Sequence, residues 1–422
     1  MLNFFYPPSL PFSRNVLGSA LALSLLASSA LAQTANQPPT LKQALAAAWQ
    51  NSSQSRSLDN RRSELAAKEM AANSWISGEP VAGIAHRTDR LNKNEGFREY
   101  EAEVELPLWN PGVRSAAQAD VSAQRQGFDG QFTLAKLKLA GELRALAASA
   151  ATAQVELDLN KRKLLEANAL TRDLTRRVKA GENARVDALQ AQVLAQQAQA
   201  GMAQAEGQLA RLQSQWRSLT GLAAVAPPDE MLAATASNAA IDAPIATDHP
   251  ALRSSQAHLS SAQAKLALAN ADKRDPMSVG VGVSRERGNF VAAGETRLRI
   301  ALRIPLGGDN RNAPRQAAAR AELDAAQAEV DAIQRQLPAE VAAATAELRA
   351  ARLAQTAATE RARLSTEVQA LITKSWRLGD SDLPARLRAD NEQFEASLSL
   401  AKSSIDVQRA IANLNQAHGF LP

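Results

Sequence analysis

Charged side chains alternate with apolar ones in two short segments of the chain. Residues 98–112 read REYEAEVELPLWNPG, and residues 296–306 read TRLRIALRIPL. Because successive side chains of a strand point to opposite faces, each segment predicts a strand with one apolar and one charged face. The charges are carboxylates in the first segment and guanidinium groups in the second: Glu101, Glu103, Glu105, Arg297, Arg299 and Arg303. We expect the two sets to share one wet surface, where they would partly neutralise each other.

Little else in the sequence has the residue types and spacing of a chemical site. The absence of cysteine excludes disulfides, thiolate metal sites and cysteine nucleophiles. The histidines are scattered, and none is spaced for shared metal binding: His86, His249, His258 and His418. His86 either lies on an ordinary surface or faces the same wet side as the charges. No nucleophile and base stand out as a pair, so we expect no enzymatic activity, no metal and no cofactor.

The overall charge and composition describe a helical protein with a solvated surface. The 48 basic and 43 acidic residues are interspersed and give a net charge of +5, so we expect no nucleic-acid partner. Aromatic residues make up only 4% of a chain that is rich in alanine, glutamine and leucine. Such a composition favours long helices that pack through small side chains.

The first 32 residues have the pattern of a secretory signal peptide. Arg14 precedes the apolar run VLGSALALSLLASSALA, and residues 30–32 match a small-residue cleavage site. The run is shorter than the roughly 20 residues that a spanning helix needs, so we favour a cleaved signal over a membrane anchor. No later segment is apolar enough to predict a transmembrane helix, so a membrane-spanning form of this chain would have to use strands.

Three landmarks recur at one spacing and indicate an internal duplication. Pairs of residues 198 positions apart occupy corresponding contexts: Pro107 and Pro305, Gly181 and Gly379, Gly221 and Gly419. Alanine-rich composition explains similar helices, but it does not explain three punctuating residues in register. We therefore predict a first structural repeat over 33–222, a linker over 223–247 that is rich in proline and alanine, and a second repeat over 248–422.

Each repeat is predicted to contain a helix, two strands, a very long helix, a glycine turn and a shorter helix. The predicted bounds are Leu41–Ser77, Pro80–Thr88, Phe97–Leu108 and Val113–Val178 in the first repeat, and Pro250–Lys273, Met277–Arg285, Thr296–Leu306 and Asn312–Arg377 in the second. Apolar residues in the first long helix recur at steps of three and four from Phe128 to Leu157 and then at a step of seven to Leu164, which predicts coiled-coil packing.

The fold class that follows is mainly α with a small β part. Long helices would form a duplicated coiled-coil α-barrel, and four amphipathic strands would contribute to a β-barrel shared between chains. Four strands are too few to close a membrane barrel alone, whereas two chains would supply eight strands and three chains twelve. Lipid is the simplest cover for the apolar strand faces; the alternative is a soluble sheet with another covering layer.

With these features the chain resembles the outer membrane factors of Gram-negative efflux systems, the TolC superfamily. The resemblance covers nearly the whole chain after the signal peptide. It is carried by the duplication, by the strand pairs that end in LPL or IPL before a long helix, and by the motifs RRVKAGENARVDALQAQ and SWRLGDSDLPARLRADNEQFEA. The sequence around IPL and NRN also resembles the CzcC-like heavy-metal branch.

The resemblance implies a passive outer membrane channel. It implies a homotrimer with a β-barrel in outer membrane lipid above a helical tunnel in the periplasm. A periplasmic adaptor (membrane fusion protein) and an inner-membrane pump would be the partners, and divalent metal ions or drugs would be conducted outward. Two alternatives stay open: a soluble periplasmic coiled-coil scaffold or adaptor, and, within the family, a channel for type I protein secretion.

The resemblance also places the two glycine turns at the periplasmic tip that contacts the adaptor. The residues that match the tip motifs are Arg177, Gly181, Asp187, Arg377, Gly379 and Asp382. Glycine suits a tight turn with a positive φ, so both glycines also have a purely local explanation. The counterpart of Asp187 in the second repeat is Ala385, preceded by Pro384, so we do not expect a complete acidic ring at the tunnel end.

Each long helix carries a helix-breaking residue at the same level. Pro338 removes a backbone donor from the second long helix, and its counterpart in the first lies next to Gly141. We interpret this level either as a flex point about which the lower tunnel moves or as a static kink.

Overall fold

A computed structural model describes residues 38–231, 248–306 and 309–422. The predicted signal peptide, residues 1–32, and most of the predicted linker, residues 232–247, lie outside the described residues. The helices are α1 (Leu41–Asn51), α2 (Ser53–Asn73), α3 (Val113–Lys179), α4 (Arg185–Thr220), α5 (Pro250–Ala271), α6 (Asp309–Leu378) and α7 (Leu383–Ala417), and the strands are β1 (Val81–Thr88), β2 (Arg98–Leu108), β3 (Met277–Arg287) and β4 (Glu295–Arg303).

The predicted first helix is two helices in the structure. The chain leaves the helical conformation at Ser52, which has φ −72° and ψ 142°. The Ser52 hydroxyl accepts a hydrogen bond from the backbone N–H of Ser55 and so caps the start of α2. At the start of α1, Thr40 and Gln43 form a reciprocal capping box. The prediction of one continuous helix was wrong because a serine can cap a new helix without any proline or glycine to mark the break.

The strands form one antiparallel sheet in the order β1–β2–β3–β4. The hairpins β1–β2 and β3–β4 join across the β2–β3 pair, so strands from the two halves of the chain meet in the middle of the sheet. The described strands leave β1 and β4 at the two edges. The β1–β2 and β3–β4 connections lie at one end of the sheet, and the helices attach at the other.

The helices lie side by side in a layer. α3 and α6 run its whole length, at 67 and 70 residues, and each spans roughly 100 Å at 1.5 Å per residue. In the half near the sheet, α3 packs against α2 and α5, and α5 packs against α6. In the other half, α3 packs against α4 and α7, and α7 packs against α6. The shorter helices therefore follow one another along the two long ones.

Small side chains fill most of the helix contacts, as the composition predicts. The predicted seam of α3 faces its neighbours: Phe128, Leu139, Leu143, Ala150, Ala153 and Leu157 are buried. Gly127 shows why small residues are needed, because a Cβ there would lie 3.2 Å from the Cβ of Ala257 in α5. Within the described chain, no helix has a stretch that is apolar and long enough to cross a membrane.

Candidate functional site

The charged residues predicted from the strand pattern lie together on one face of the sheet. Glu103 of β2 is in register with Gly282 of β3, and Gly282 is in register with Arg299 of β4. The carboxylates and arginines therefore occupy alternate strands, with a strand of small residues between them. Gly83 flanks Glu103 on the other side, so Glu103 has a glycine neighbour on both adjacent strands.

The acidic and basic side chains reach each other across β3 and form what we call the ladder: Glu101, Glu103, Glu105, Arg299 and Arg303. Arg299 Nη2 lies 2.6 Å from a Glu103 carboxylate oxygen and also pairs with Glu101. Arg303 pairs with Glu105, and its Nη2 lies 3.5 Å from Glu103. A Cβ on Gly282 would lie 3.2 Å from the Glu103 Cβ, so glycine leaves the space that the ladder occupies.

Arg297 stands apart from the ladder. It pairs with Glu286 at 2.7 Å and with Glu295 at 2.8 Å, close to the hairpin end of the sheet. The predicted stripe of arginines is therefore divided between two groups of carboxylates, both within the same chain and both on the same face of the sheet.

The opposite face of the sheet is apolar and largely uncovered in the described chain. Ile84, Leu298 and Ile300 are 92%, 69% and 73% exposed, respectively. His86 lies on this face, where its ring stacks on Tyr100 at a centroid distance of 4.4 Å. Of the two positions left open for His86, the structure excludes the charged side, because the register of β1 on β2 puts His86 in line with Ile84.

The two glycine turns are built the same way. Gly181 and Gly379 have φ of +81° and +88°, in the left-handed region that favours glycine. After α3, the N–H groups of Gly181 and Glu182 donate to the carbonyls of Val178 and Arg177. After α6, Gly379 and Asp380 donate to the carbonyls of Trp376 and Ser375. Both ends are Schellman caps, which satisfy the last carbonyls of each helix.

A cluster around Trp376 connects the two helix ends beside these turns. The guanidinium groups of Arg177 and Arg386 lie 4.6 Å and 4.1 Å from the Trp376 ring centroid. These side chains line a cavity of about 550 Å³, together with Arg377, Asp390, Glu166 and Phe394. Burial raises the pKa of the Glu166 carboxyl, and the neighbouring Asp390 carboxylate raises it further. The structure thus brings Arg177 and Arg377 to the same cavity.

The two predicted acidic residues of the tip have local roles at helix starts. Asp382 is the N-cap of α7, and its carboxylate accepts from the Ala385 N–H at 2.9 Å. Asp187 lies in the first turn of α4, and its carboxylate accepts from Asn183 Nδ2 at 3.1 Å. Carboxylates are favoured at both places by the exposed N–H groups of the helix start.

Gly141 of α3 and Pro338 of α6 lie at a similar height along the two long helices, and both helices continue past these residues. α6 extends on either side of Pro338. A Cβ on Gly141 would lie 3.2 Å from Gln416 Nε2, so Gly141 allows the end of α7 to approach α3 closely. A cavity of about 710 Å³ opens at this level, with Leu137, Leu337, Glu340 and Gln416 in its lining. Whether this level flexes stays a prediction.

Sequence reasoning missed a buried ion pair beside that cavity, which we call the buried joint: Arg144, Glu230, Gln416 and Phe420. Arg144 Nε donates to the Glu230 carboxylate at 3.0 Å and 3.1 Å, and its other nitrogens donate to Gln416 Oε1 and to the Phe420 carbonyl. The Arg144 and Glu230 side chains are 3% and 9% exposed. No local pattern indicates this contact, because Glu230 is 86 residues from Arg144 and lies in the predicted linker.

The described residues hold no group of three or more His, Cys, Asp or Glu side chains arranged to bind a metal ion.

The fold matches those of solved outer membrane channels. The outer-membrane channel OprN is 18% identical to this chain, with a TM-score of 0.73 over 90% of each chain. The CmeC outer membrane channel of Campylobacter jejuni is 12% identical, with a TM-score of 0.73 over 90% of this chain and 85% of its own. The outer membrane protein VceC of Vibrio cholerae is 12% identical, with a TM-score of 0.70 over 90% and 96%.

At these identities the likeness concerns the fold, and the fold that the family resemblance implied is confirmed. The sequence matches no protein-family model and no curated protein.

Proposed function

We propose that the chain is a subunit of an outer membrane channel of a tripartite efflux system. Three copies would join their sheets in the outer membrane and their helical layers in the periplasm. Solutes would pass outward through the assembly, which performs no catalysis, because the inner-membrane pump supplies the energy. The fold shared with OprN, CmeC and VceC supports this proposal.

The observation that carries the proposal is the uncovered apolar face of the sheet. No helix of the described chain packs extensively against the strands, and the exposed apolar side chains extend over all four of them. Apolar surface left in water costs roughly 25 cal/mol of free energy per Å², and burying this face in lipid removes that cost. The free edges of β1 and β4 then require strands from other copies, since unpaired backbone groups are costly in lipid.

The charged face would line the water path of this channel. Glu101, Glu103 and Glu105, with Arg297, Arg299 and Arg303, would lie on its wall, and their internal pairing leaves the wall without an extended region of one sign. This arrangement suits a conduit that leaves substrate choice to its pump. The resemblance to the heavy-metal branch stays a prediction, as does the identity of the solute.

The glycine turns would be the periplasmic end that meets the adaptor. Arg177, Gly181, Asp187, Arg377, Gly379 and Asp382 all lie at or next to the two turns, far from the sheet along α3 and α6. The matching Schellman caps would present two similar loops per chain to a partner. The cavity beside Trp376 adds aromatic and charged side chains to that surface.

Fractionation with two matched variants tests the proposal. Ile300→Glu puts a carboxylate on the apolar face, and Ala301→Glu puts the same group on the charged face one residue away. We expect the unmodified chain and Ala301→Glu in the outer membrane as a heat-dissociable trimer. We expect less Ile300→Glu in the outer membrane, because a charged side chain that faces lipid is destabilising.

A processed chain that is a soluble monomer would overturn the channel and favour the periplasmic scaffold. Export assays with the cognate pump, using a divalent metal ion, a drug and a secreted protein in turn, then identify the solute.

A further inference from the structure

The arginines of the sheet fall into two groups according to the face they occupy. Those on the charged face all form ion pairs: Arg87, Arg297, Arg299 and Arg303. Those on the apolar face, Arg98, Arg285 and Arg287, form no ion pair and no side-chain hydrogen bond with any residue in the described ranges. We call these three residues the arginine triad.

The strand register brings the triad together. Arg98 of β2 is directly opposite Arg287 of β3, and Arg285 is opposite Tyr100, two residues further along the same face. Like charges directly opposite each other destabilise a sheet. Arg287 Nε is also buried from solvent and has no hydrogen-bond partner in the described chain. The triad therefore combines mutual repulsion with an unsatisfied donor, and an anion beside the three guanidinium groups would relieve the repulsion.

The position of the triad on the sheet identifies the anion. The triad lies at the hairpin end, and the apolar rows from Ala102 to Leu108 extend from it toward the helices, over about 20 Å at 3.3 Å per residue. The stacked rings of His86 and Tyr100 lie level with Arg285, between the Arg98–Arg287 pair and these rows. Apolar rows bounded by aromatic rings and then by cations match a surface that crosses from acyl chains to headgroups.

We propose that the arginine triad binds the phosphate groups of a phosphorylated glycolipid in the outer leaflet of the outer membrane. The proposal rests on the proposed function, which puts the helices in the periplasm and the hairpin end outside. Guanidinium groups bind phosphate oxygens through paired N–H donors, and three of them side by side match a headgroup that carries more than one phosphate. The acyl chains of the same lipid would lie along Val104, Val283 and Ile300.

Lipid titration of the purified full chain in a neutral detergent tests the proposal. The probes are bis-phosphorylated lipid A, the same lipid with its phosphates removed, and inorganic phosphate. The readout is the apparent Kd from the rise in the thermal dissociation midpoint of the oligomer. The variants are Arg→Gln at each triad position and at all three, and Arg→Lys at all three. The matched control is Arg87→Gln with Arg297→Gln, which removes two arginines from the charged face at the same end of the sheet.

We expect the phosphorylated lipid to bind and its Kd to rise about fivefold for each triad arginine replaced by glutamine. The triple lysine variant keeps the three positive charges, so it should bind the phosphorylated lipid more tightly than the triple glutamine variant. That difference would show that the loss in the glutamine variant comes from the missing charge and not from misfolding. The double control should keep the affinity of the unmodified chain. Equal binding of the dephosphorylated lipid, or an unchanged Kd in the lysine and glutamine variants alike, would overturn the proposal. An equal effect of inorganic phosphate would reduce the triad to a simple anion site and would also overturn it.

Failure of the two proposals can be told apart. A chain that fractionates with the outer membrane but binds both lipids equally retains the channel function and loses the lipid site. A chain that prefers the phosphorylated lipid in detergent but is recovered from the soluble periplasm retains a phosphate site and loses the channel.

Discussion

The buried joint of the helical layer and the exposed ladder of the sheet use the same chemistry in opposite surroundings. In the joint, Arg144 and Glu230 are 3% and 9% exposed, and the arginine donates to three different partners. In the ladder, Arg299 is 53% exposed and pairs with carboxylates of one strand. Water can replace a partner in the ladder, whereas the Arg144 and Glu230 side chains of the joint have little contact with water. The joint therefore stabilises the folded helical layer, whereas the ladder mainly neutralises charges on an exposed surface.

Removing the arginine from each region gives the largest difference between them. Arg144→Ala leaves Glu230 buried without its cation, so we expect the free energy of unfolding to fall by about 3–5 kcal/mol. Arg299→Ala exposes its partners to water and should cost far less. Chemical denaturation followed by circular dichroism measures both.

A double variant separates the net contribution of the ion pair to the free energy of unfolding from the penalty of leaving one charge buried alone. Arg144→Met with Glu230→Leu removes both charges and keeps apolar volume, so it should lose much less stability than Arg144→Ala alone. If the double variant is as unstable as the single one, the other hydrogen bonds of Arg144, to Gln416 and Phe420, dominate the joint instead.

Gly282 leaves the space that the ladder needs, so replacing Gly282 tests the ladder from the neighbouring strand. A Cβ on Gly282 would lie 3.2 Å from the Glu103 Cβ and 3.3 Å from the Ala102 carbonyl oxygen, so the neighbouring strand would have to shift by a few tenths of an ångström. We expect Gly282→Ala to destabilise by about 1–3 kcal/mol and to weaken the salt dependence of stability as the ladder opens.

Gly280→Ala is the matched control for that substitution. Its nearest contact would be at 3.8 Å, which is ordinary packing, so we expect little change. Equal losses in the two variants would mean that chain flexibility, and not the space beside Glu103, explains why glycine is present in β3.

The sequence and the structure agree where the signal is local and periodic. Alternation predicted both faces of β2 and β4, and Gly181 and Gly379 marked the ends of α3 and α6 within one or two residues. The buried joint could not be predicted in this way, because Glu230 comes from a segment that reads as a linker and meets Arg144 only through tertiary packing. The break at Ser52 was missed, and the face of His86 was left open, for a related reason. The first depends on a capping hydrogen bond and the second on a strand register, and composition encodes neither.

The glycine turns allow a smaller test in which only the backbone changes. Gly379 has φ +88° and open space around its Cα, so Gly379→Ala introduces conformational strain without a steric clash. We expect a loss of about 1 kcal/mol. Gly207→Ala is the control, since Gly207 lies inside α4 with equally open space and should gain up to about 1 kcal/mol. Thermal melts of the two variants should shift in opposite directions; a shift in the same direction would contradict the strained cap.

The smallest effect concerns pH, at the edge of the buried joint. His249 is buried and caps α5, with its Nδ1 accepting the Ala251 N–H at 3.1 Å. Burial lowers the pKa of His249 below its ordinary 6.5, and His418 adds to this, although Glu340 opposes it. The unfolded chain then binds the proton more readily than the folded chain. The stability that the neutral imidazole contributes is therefore present above about pH 6.5 and is lost as the pH falls below it.

The thermal unfolding midpoint of the unmodified chain should fall when the pH is lowered from about 7.5 to about 5.5. The fall should shrink in His249→Asn, which keeps a capping acceptor but does not titrate. His258→Asn, on the exposed side of the same helix, is the control and should leave the fall in place. If His249→Asn shows the full fall, the pH dependence arises from other titrating groups, and the neutral state of His249 does not account for it.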